Sequence, residues 1–197
     1  MLKSLLFDRY TVRQHMRYLR RNLTHEQQNE AGIMLAEQAM KFVSIAHAQH
    51  ITLFLSTDGE IDTFYLIKML WKTKKQVYLP VLHPFSPGYL LFFRYTPKTL
   101  LQLNKFYILE PFLDITQMIT LEQIDIILVP MVAFNDQGQR LGMGGGFYDR
   151  TLQNWQQYHF LPIGIAHDFQ HMTQLPIANW DICLPVILTP SKIWYCY

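Results

Sequence analysis

The sequence predicts an α/β fold, a single domain built on a mostly parallel central sheet with helices on both faces. Three observations predict it. Short apolar runs of strand length stand at 51–55, 77–81, 126–129, 163–166 and 186–188. Stretches of helical periodicity alternate with them, at the spacing of βαβ units. The 197 residues hold no repeat and no linker, so one domain accounts for the chain.

Composition agrees. Half of the residues are hydrophobic and 16% are charged, enough apolar material for a full core and too little charge for disorder. A net charge of +2 implies neither nucleic-acid nor membrane binding. Cys183 and Cys196 have no metal-ligand spacing and read as thiols in a reducing cytosol. The N-terminal stretch to Asp8 is too quickly charged for a signal peptide, and no apolar run reaches the ~20 residues of a membrane span.

A first helix is expected over 9–22, where Val12, Met16, Leu19 and Leu23 form one stripe. Thr24-His-Glu-Gln27 is a capping-box start for a second helix that buries Ala31, Leu35, Ala39 and Phe42. After the strand at 51–55, Ser56-Thr-Asp-Gly59 is a turn. A helix then carries Phe64, Ile67, Leu70 and Trp71. The strand at 77–81 is expected to end at Pro80 and Pro84, and 90–95 reads as an edge strand. The stretch 111–120 has no clear pattern. The run 126–129, closed by Pro130, is the clearest buried strand, and a helix begins near Phe147.

The strongest local motif is Asp136-Gln-Gly-Gln-Arg-Leu-Gly-Met-Gly-Gly-Gly-Phe-Tyr-Asp-Arg150. Five of the nine glycines fall here, at 138, 142, 144, 145 and 146. A glycine loop between a buried strand and a helix presents backbone N–H groups to one point, and glycine lets phosphate oxygens approach without a Cβ in the way. The motif is neither a P-loop nor a dinucleotide fingerprint. Arg140 adds a fixed cation for a phosphate. Asp149 is placed to cap the helix or to give an oxygen ligand to magnesium.

Arg9, Arg13, Arg17 and Arg20 recur at helical spacing, about 100° from the apolar stripe, with Arg21 beside them. Most of this row is expected to be a solvated face. His167 and His171 stand at i, i+4 but lack the glutamate of a metalloprotease motif, so surface or hydrogen-bonded histidines are expected rather than a zinc pair.

The segment from Asp125 to Arg150 closely resembles the signature of the 5-formyltetrahydrofolate cyclo-ligase family. Other segments agree in order: Arg9-Tyr-Thr-Val-Arg13, Leu55-Ser-Thr-Asp-Gly-Glu60-Ile-Asp-Thr63, Ile108-Leu-Glu-Pro111, and 164–189 with Gln170, Pro176 and Asp181. Relative to the family pattern, Arg9 replaces lysine, Asn135 replaces aspartate, Phe147 replaces tyrosine and Tyr107 replaces glycine.

The resemblance implies a three-layer α/β/α fold and the ATP-dependent conversion of 5-formyltetrahydrofolate to 5,10-methenyltetrahydrofolate, with magnesium. It implies ATP contacts from Arg9, Arg13 and the loop from Arg140 through Leu141, Gly142, Met143, Gly144, Gly145, Gly146 and Phe147 to Tyr148. It implies folate contacts from Leu55, Glu60 and Tyr148, magnesium ligands at Asp149 and Asp181, and Arg140 and Tyr148 at the reacting centre. A monomeric cytoplasmic enzyme without nucleic-acid or membrane partners is expected. Three other readings stay open: a sugar-phosphate isomerase or transferase relative, an RNA-associated protein using the arginine row, and a zinc hydrolase at the two histidines.

Overall fold

The computed structural model describes residues 8–196, so the stretch 1–7, read above as no signal peptide, lies outside the described residues. Helix α1 (Arg9–Arg21) begins at Asp8, whose carboxylate accepts the Thr11 N–H at 2.9 Å, and it buries Val12, Met16 and Arg20. Helix α2 (His25–Lys41) starts with the expected capping box: Thr24 accepts the Gln27 N–H at 3.1 Å, and Gln27 accepts the Thr24 N–H at 2.9 Å. Helix α3 (Val43–His47) turns the chain into strand β1 (His50–Thr52). Helix α4 (Phe64–Lys72) buries Leu66, Ile67 and Leu70. Strands β2 (Gln76–Leu82) and β3 (Leu90–Tyr95) form a hairpin. A second, small hairpin of β4 (Leu101–Leu103) and β5 (Leu109–Pro111) precedes β6 (Met118–Ile119). The remaining elements are β7 (Ile126–Pro130), β8 (Ala133–Phe134), β9 (Arg140–Leu141), α5 (Phe147–Thr151), β10 (Leu161–Ile165), β11 (Val186–Leu188) and β12 (Ile193–Tyr195).

One eight-stranded sheet has the order β12-β11-β10-β7-β1-β2-β3-β6. The five strands from β11 to β2 are parallel, and the outer pairings are antiparallel. Ile126 and Leu128 of β7 point into a core shared with α2, α3 and α4. Ile127 and Val129 point into a second core with Leu152 and Phe160. Burial on both faces is why β7 reads as an unbroken apolar run. The second layer is thin: α5 has five residues, and 3-10 turns and loops complete the cover.

Two expectations need correction. Strand β2 runs through Pro80 to Leu82. The Tyr78 carbonyl faces β1, where it accepts the Leu53 N–H, so the missing N–H of Pro80 falls on the side that β1 has already left. Strand β3 is not the edge, because β6 pairs with it through Phe92↔Ile119 and Phe93↔Met118. A strand of two residues is too short to leave a period in the sequence.

The chain leaves β1, β2 and β7 at their carboxyl ends on one side of the sheet. That is where open α/β sheets form their binding crevices.

Candidate active site

The turn after β1 is shaped by two left-handed residues, Asp58 (φ 51°) and Gly59 (φ 72°). A Cβ on Gly59 would stand 2.8 Å from the Arg20 carbonyl, so the turn lies against the end of α1 only because residue 59 is glycine. The carboxylate of Glu60 folds back to accept the Thr57 N–H (3.1 Å) and hydroxyl (3.2 Å). Burial pushes its pKa upward, and Arg20, whose Nη1 is 3.9 Å away, and Thr57 oppose this without cancelling it.

The arginine row is largely an internal ion-pair system rather than a solvated face. Asp58 accepts Arg17 (2.7 Å), Arg20 (3.3 Å) and Arg21 (2.5 Å). The Arg20 side chain is fully buried, and among the described residues its Nε and Nη1 have no hydrogen-bond partner. Asp58 pairs with α1 because the left-handed turn aims its carboxylate back at that helix.

Past β7 the chain forms the small β8–β9 hairpin before the glycines, so the loop opens from this hairpin and not from the buried strand itself. Gly138 belongs to the hairpin turn (φ 72°), where its carbonyl accepts the Leu184 N–H at 2.8 Å; it lies apart from the loop at 142–146. Leu141 is buried against α1 and lines neither of the cavities described below. Gly144 (φ 106°) and Gly146 (φ 65°) need glycine for their backbone. Gly142 is different: a Cβ there would meet nothing within 4 Å, so the cradle it borders is open. The Gly142 carbonyl accepts Arg13 Nε at 2.8 Å, and among the described residues this is that side chain's only hydrogen bond. Arg150 ties the loop to the β2–β3 turn by donating to the carbonyls of Gly88 (2.7 Å) and Gly145.

Arg140 is buried. It donates to Asp149 Oδ1 at 2.7 Å and to the Ile182 carbonyl, while among the described residues its Nε has no hydrogen-bond partner. Burial lowers its pKa, and Asp149 and Asp181 work against that. Asp181 holds Arg9 through two bonds of 2.5 and 2.9 Å. Burial raises the Asp181 pKa, but the Arg9 pairing outweighs it and the net shift is downward. Asp149 and Asp181 are thus each held by an arginine, but Asp149 borders both cavities described below and Asp181 lines neither. Among the described residues no group of three or more His, Cys, Asp or Glu side chains is placed to hold a metal. Asp149, whose Oδ2 accepts no hydrogen bond among the described residues, fits magnesium, which takes few protein ligands and completes its shell with phosphate and water, whereas Asp181 has both oxygens on Arg9 and would join it only by releasing that pair.

Two cavities join at Asp149. The larger, about 540 Å³, is lined by Leu55, Glu60, Arg140 and Tyr148, and by Met143, Gly145 and Phe147 of the loop. Burial first and then Glu60 push the Tyr148 phenol well above its usual pKa, and Arg140 opposes them. The smaller, about 180 Å³, is lined by Arg9, Arg13 and Gly144. Gly142, Gly146 and Asp149 border both.

The structure adds residues that the motifs missed. The β4–β5 hairpin overhangs the larger cavity. Its Phe106 meets Phe147 edge-on at 5.8 Å. Glu110 anchors the hairpin by accepting the Leu82 N–H (3.1 Å) and the Asn104 amide (2.9 Å). Only the Ile108-Leu-Glu-Pro111 resemblance pointed there. Trp180 lines the smaller cavity and had no signal at all.

The two histidines do not form a metal pair. His171 stacks on Trp194 and lies 3.1 Å from Asp136, while His167 is buried on Phe169. Burial lowers the His167 pKa from 6.5 to about 4. Between those values the unfolded chain binds a proton that the folded chain refuses, so stability falls as pH falls through that window, by up to ~3 kcal/mol. The His167→Gln protein is expected to lose this acid sensitivity. Urea midpoints at pH 7 and pH 5 compare the two slopes, and equal slopes would contradict the assignment.

The 5-formyltetrahydrofolate cyclo-ligase family model matches residues 7–190. The chain is 52% identical over 179 residues to the 5-formyltetrahydrofolate cyclo-ligase of Escherichia coli K12, covering 91% of this chain and 98% of that one. It is 47% identical over 180 residues to the Haemophilus influenzae cyclo-ligase, covering 91% and 96%. The NMR structure of Aquifex aeolicus 5,10-methenyltetrahydrofolate synthetase superposes with a TM-score of 0.80 at 27% identity, over 95% of this chain and 92% of that one. The crevice with its glycine loop, buried Glu60 and paired aspartates therefore sits in a scaffold of known kind, and the chain belongs to the 5-formyltetrahydrofolate cyclo-ligase family.

Proposed function

We propose that the chain converts 5-formyltetrahydrofolate and ATP to 5,10-methenyltetrahydrofolate, ADP and phosphate. The observation that carries this reading is the junction of the two cavities. One is large, mostly apolar and has a buried carboxylate; the other is cationic and edged by glycine main chain. They share a border at Gly142, Gly146 and Asp149, where a phosphoryl group passes from one occupant to the other.

In this reading Glu60 accepts hydrogen bonds from the N–H groups of the pterin ring, with Leu55 and Tyr148 beside it. The N5-formyl oxygen then faces the junction. Arg9, Arg13 and the loop N–H groups hold the phosphates in line with that oxygen. The formyl oxygen takes the γ-phosphoryl group and ADP leaves. Arg140 offsets the negative charge that spreads over the transferring oxygens. Magnesium, held by Asp149 and Asp181, would neutralise phosphate oxygens. The N10 amine then attacks the activated carbon and gives up its proton, the C–O bond breaks so that phosphate departs with the former formyl oxygen, and the ring closes. Phosphorylation matters because the oxygen of an N-formyl group is otherwise a poor leaving group.

Both cavities are complete within one chain, which supports a monomer, and the two cysteines are thiols, which supports a cytoplasmic setting. The RNA reading loses its basis, because most of the arginine row is committed to Asp58, Asp181 and Gly142. A spectrophotometric assay with 5-formyltetrahydrofolate tests the proposal. Methenyl product is expected only with both ATP and magnesium present. Product formed equally well without nucleotide would overturn it.

A further inference from the structure

The smaller cavity, about 180 Å³, falls below the roughly 300–1,000 Å³ of pockets that enclose a whole drug-sized ligand. It has room for phosphates but not for ribose and base as well. A nucleotide whose phosphates lie on the loop must therefore carry its base out to the mouth.

Trp180 stands at that mouth. It lines the cavity yet is 69% exposed, whereas the other three tryptophans, 71, 155 and 194, are at least partly buried. An indole left that open forgoes a large burial of apolar surface. Its backbone is anchored. It is a central residue of a turn closed by the Asp181 N–H on the Ala178 carbonyl (3.0 Å), and Asp181 Oδ2 in turn accepts the Ala178 N–H (2.8 Å). The same Asp181 carboxylate is clamped by Arg9, a wall of the phosphate cavity. The turn that carries the indole is therefore tied to a wall of that cavity.

We infer that Trp180 is the platform on which the nucleotide base stacks. This rests on the ATP reading proposed above and adds the base-recognising group. Arg9, Arg13 and the glycines contact phosphate and are blind to the base, whereas an indole face takes a planar base.

Calorimetry with ADP and with inorganic tripolyphosphate, both with magnesium, separates base from phosphate binding. The Trp180→Ala protein is expected to bind ADP roughly ten- to hundred-fold more weakly. Its tripolyphosphate affinity should stay within about two-fold, and Trp180→Phe should recover most of the ADP affinity. ADP affinity unchanged in Trp180→Ala overturns the inference. So does a parallel loss for both ligands, which would mean that the residue only props up Asp181 and Arg9. A wild-type chain that binds tripolyphosphate as tightly as ADP overturns it too, while one that binds neither brings down the ATP reading with it.

Discussion

The Arg140→Met protein is expected to turn over about 10²–10³-fold more slowly than the wild type, the usual cost of removing a charge donor aimed at a transition state. Its KM for 5-formyltetrahydrofolate should change by only a few-fold. The split follows from the geometry. Arg140 lines the larger cavity and holds Asp149, which borders both; it is buried and, among the described residues, its Nε has no hydrogen-bond partner, while the proposed pterin contacts are made by Glu60 on another element. Part of the loss comes through Asp149, which gives up its 2.7 Å partner in this variant. Arg140→Lys resolves that. It keeps a charge near Asp149 without the planar fork, and is expected to recover only part of kcat. Steady-state kinetics of both variants, with a thermal melt to establish folding, make the check. Full activity in folded Arg140→Met would remove this residue from the chemistry.

The second large effect is expected at Gly142. Its φ is not in the left-handed region and an added Cβ meets no atom within 4 Å, so Gly142→Ala should fold with an unchanged melting temperature. The methyl group enters the open space that borders both cavities, where the phosphates are proposed to lie. Displacing even one charge-assisted hydrogen bond costs about 1.5–3 kcal/mol, or roughly ten- to hundred-fold in nucleotide affinity. At Gly144, by contrast, φ is 106°, so an alanine there strains the backbone as well and mixes the two effects. Calorimetric ADP binding by Gly142→Ala, beside its melt, is therefore the cleaner experiment. Undiminished binding would mean that the phosphates do not lie against this residue.

How much of this was legible in the sequence depended on how local the physics is. The capping box at Thr24 and Gln27 is decided within four residues and stands as read. The β7 run shows its double-sided burial in its composition. The glycine loop was legible because its glycines cluster in sequence, and Gly144 and Gly146 take left-handed conformations that glycine allows. The fate of the arginines was not legible. Arg20 and its acceptor Asp58 are separated by 38 positions, and their meeting depends on two left-handed residues in a turn that sequence shows only as a turn. Periodicity placed Arg20 at the edge of the apolar stripe and could not say that a carboxylate waited there. Trp180, in a loop without a period, becomes informative only once Asp181 is seen clamped to Arg9. The β4–β5 hairpin is legible only as apolar residues, since its three-residue strands are too short to alternate visibly.

Titrating a nitrogen-15-labelled chain with ADP and magnesium, and following the backbone amide signals, addresses the proposed seat of the terminal phosphates most directly. The largest shifts are predicted at Gly142, Gly144, Gly145, Gly146 and Phe147, with smaller ones at Asp149 and Asp181. Saturable ADP binding that left those five amides unmoved while shifting others would contradict the account.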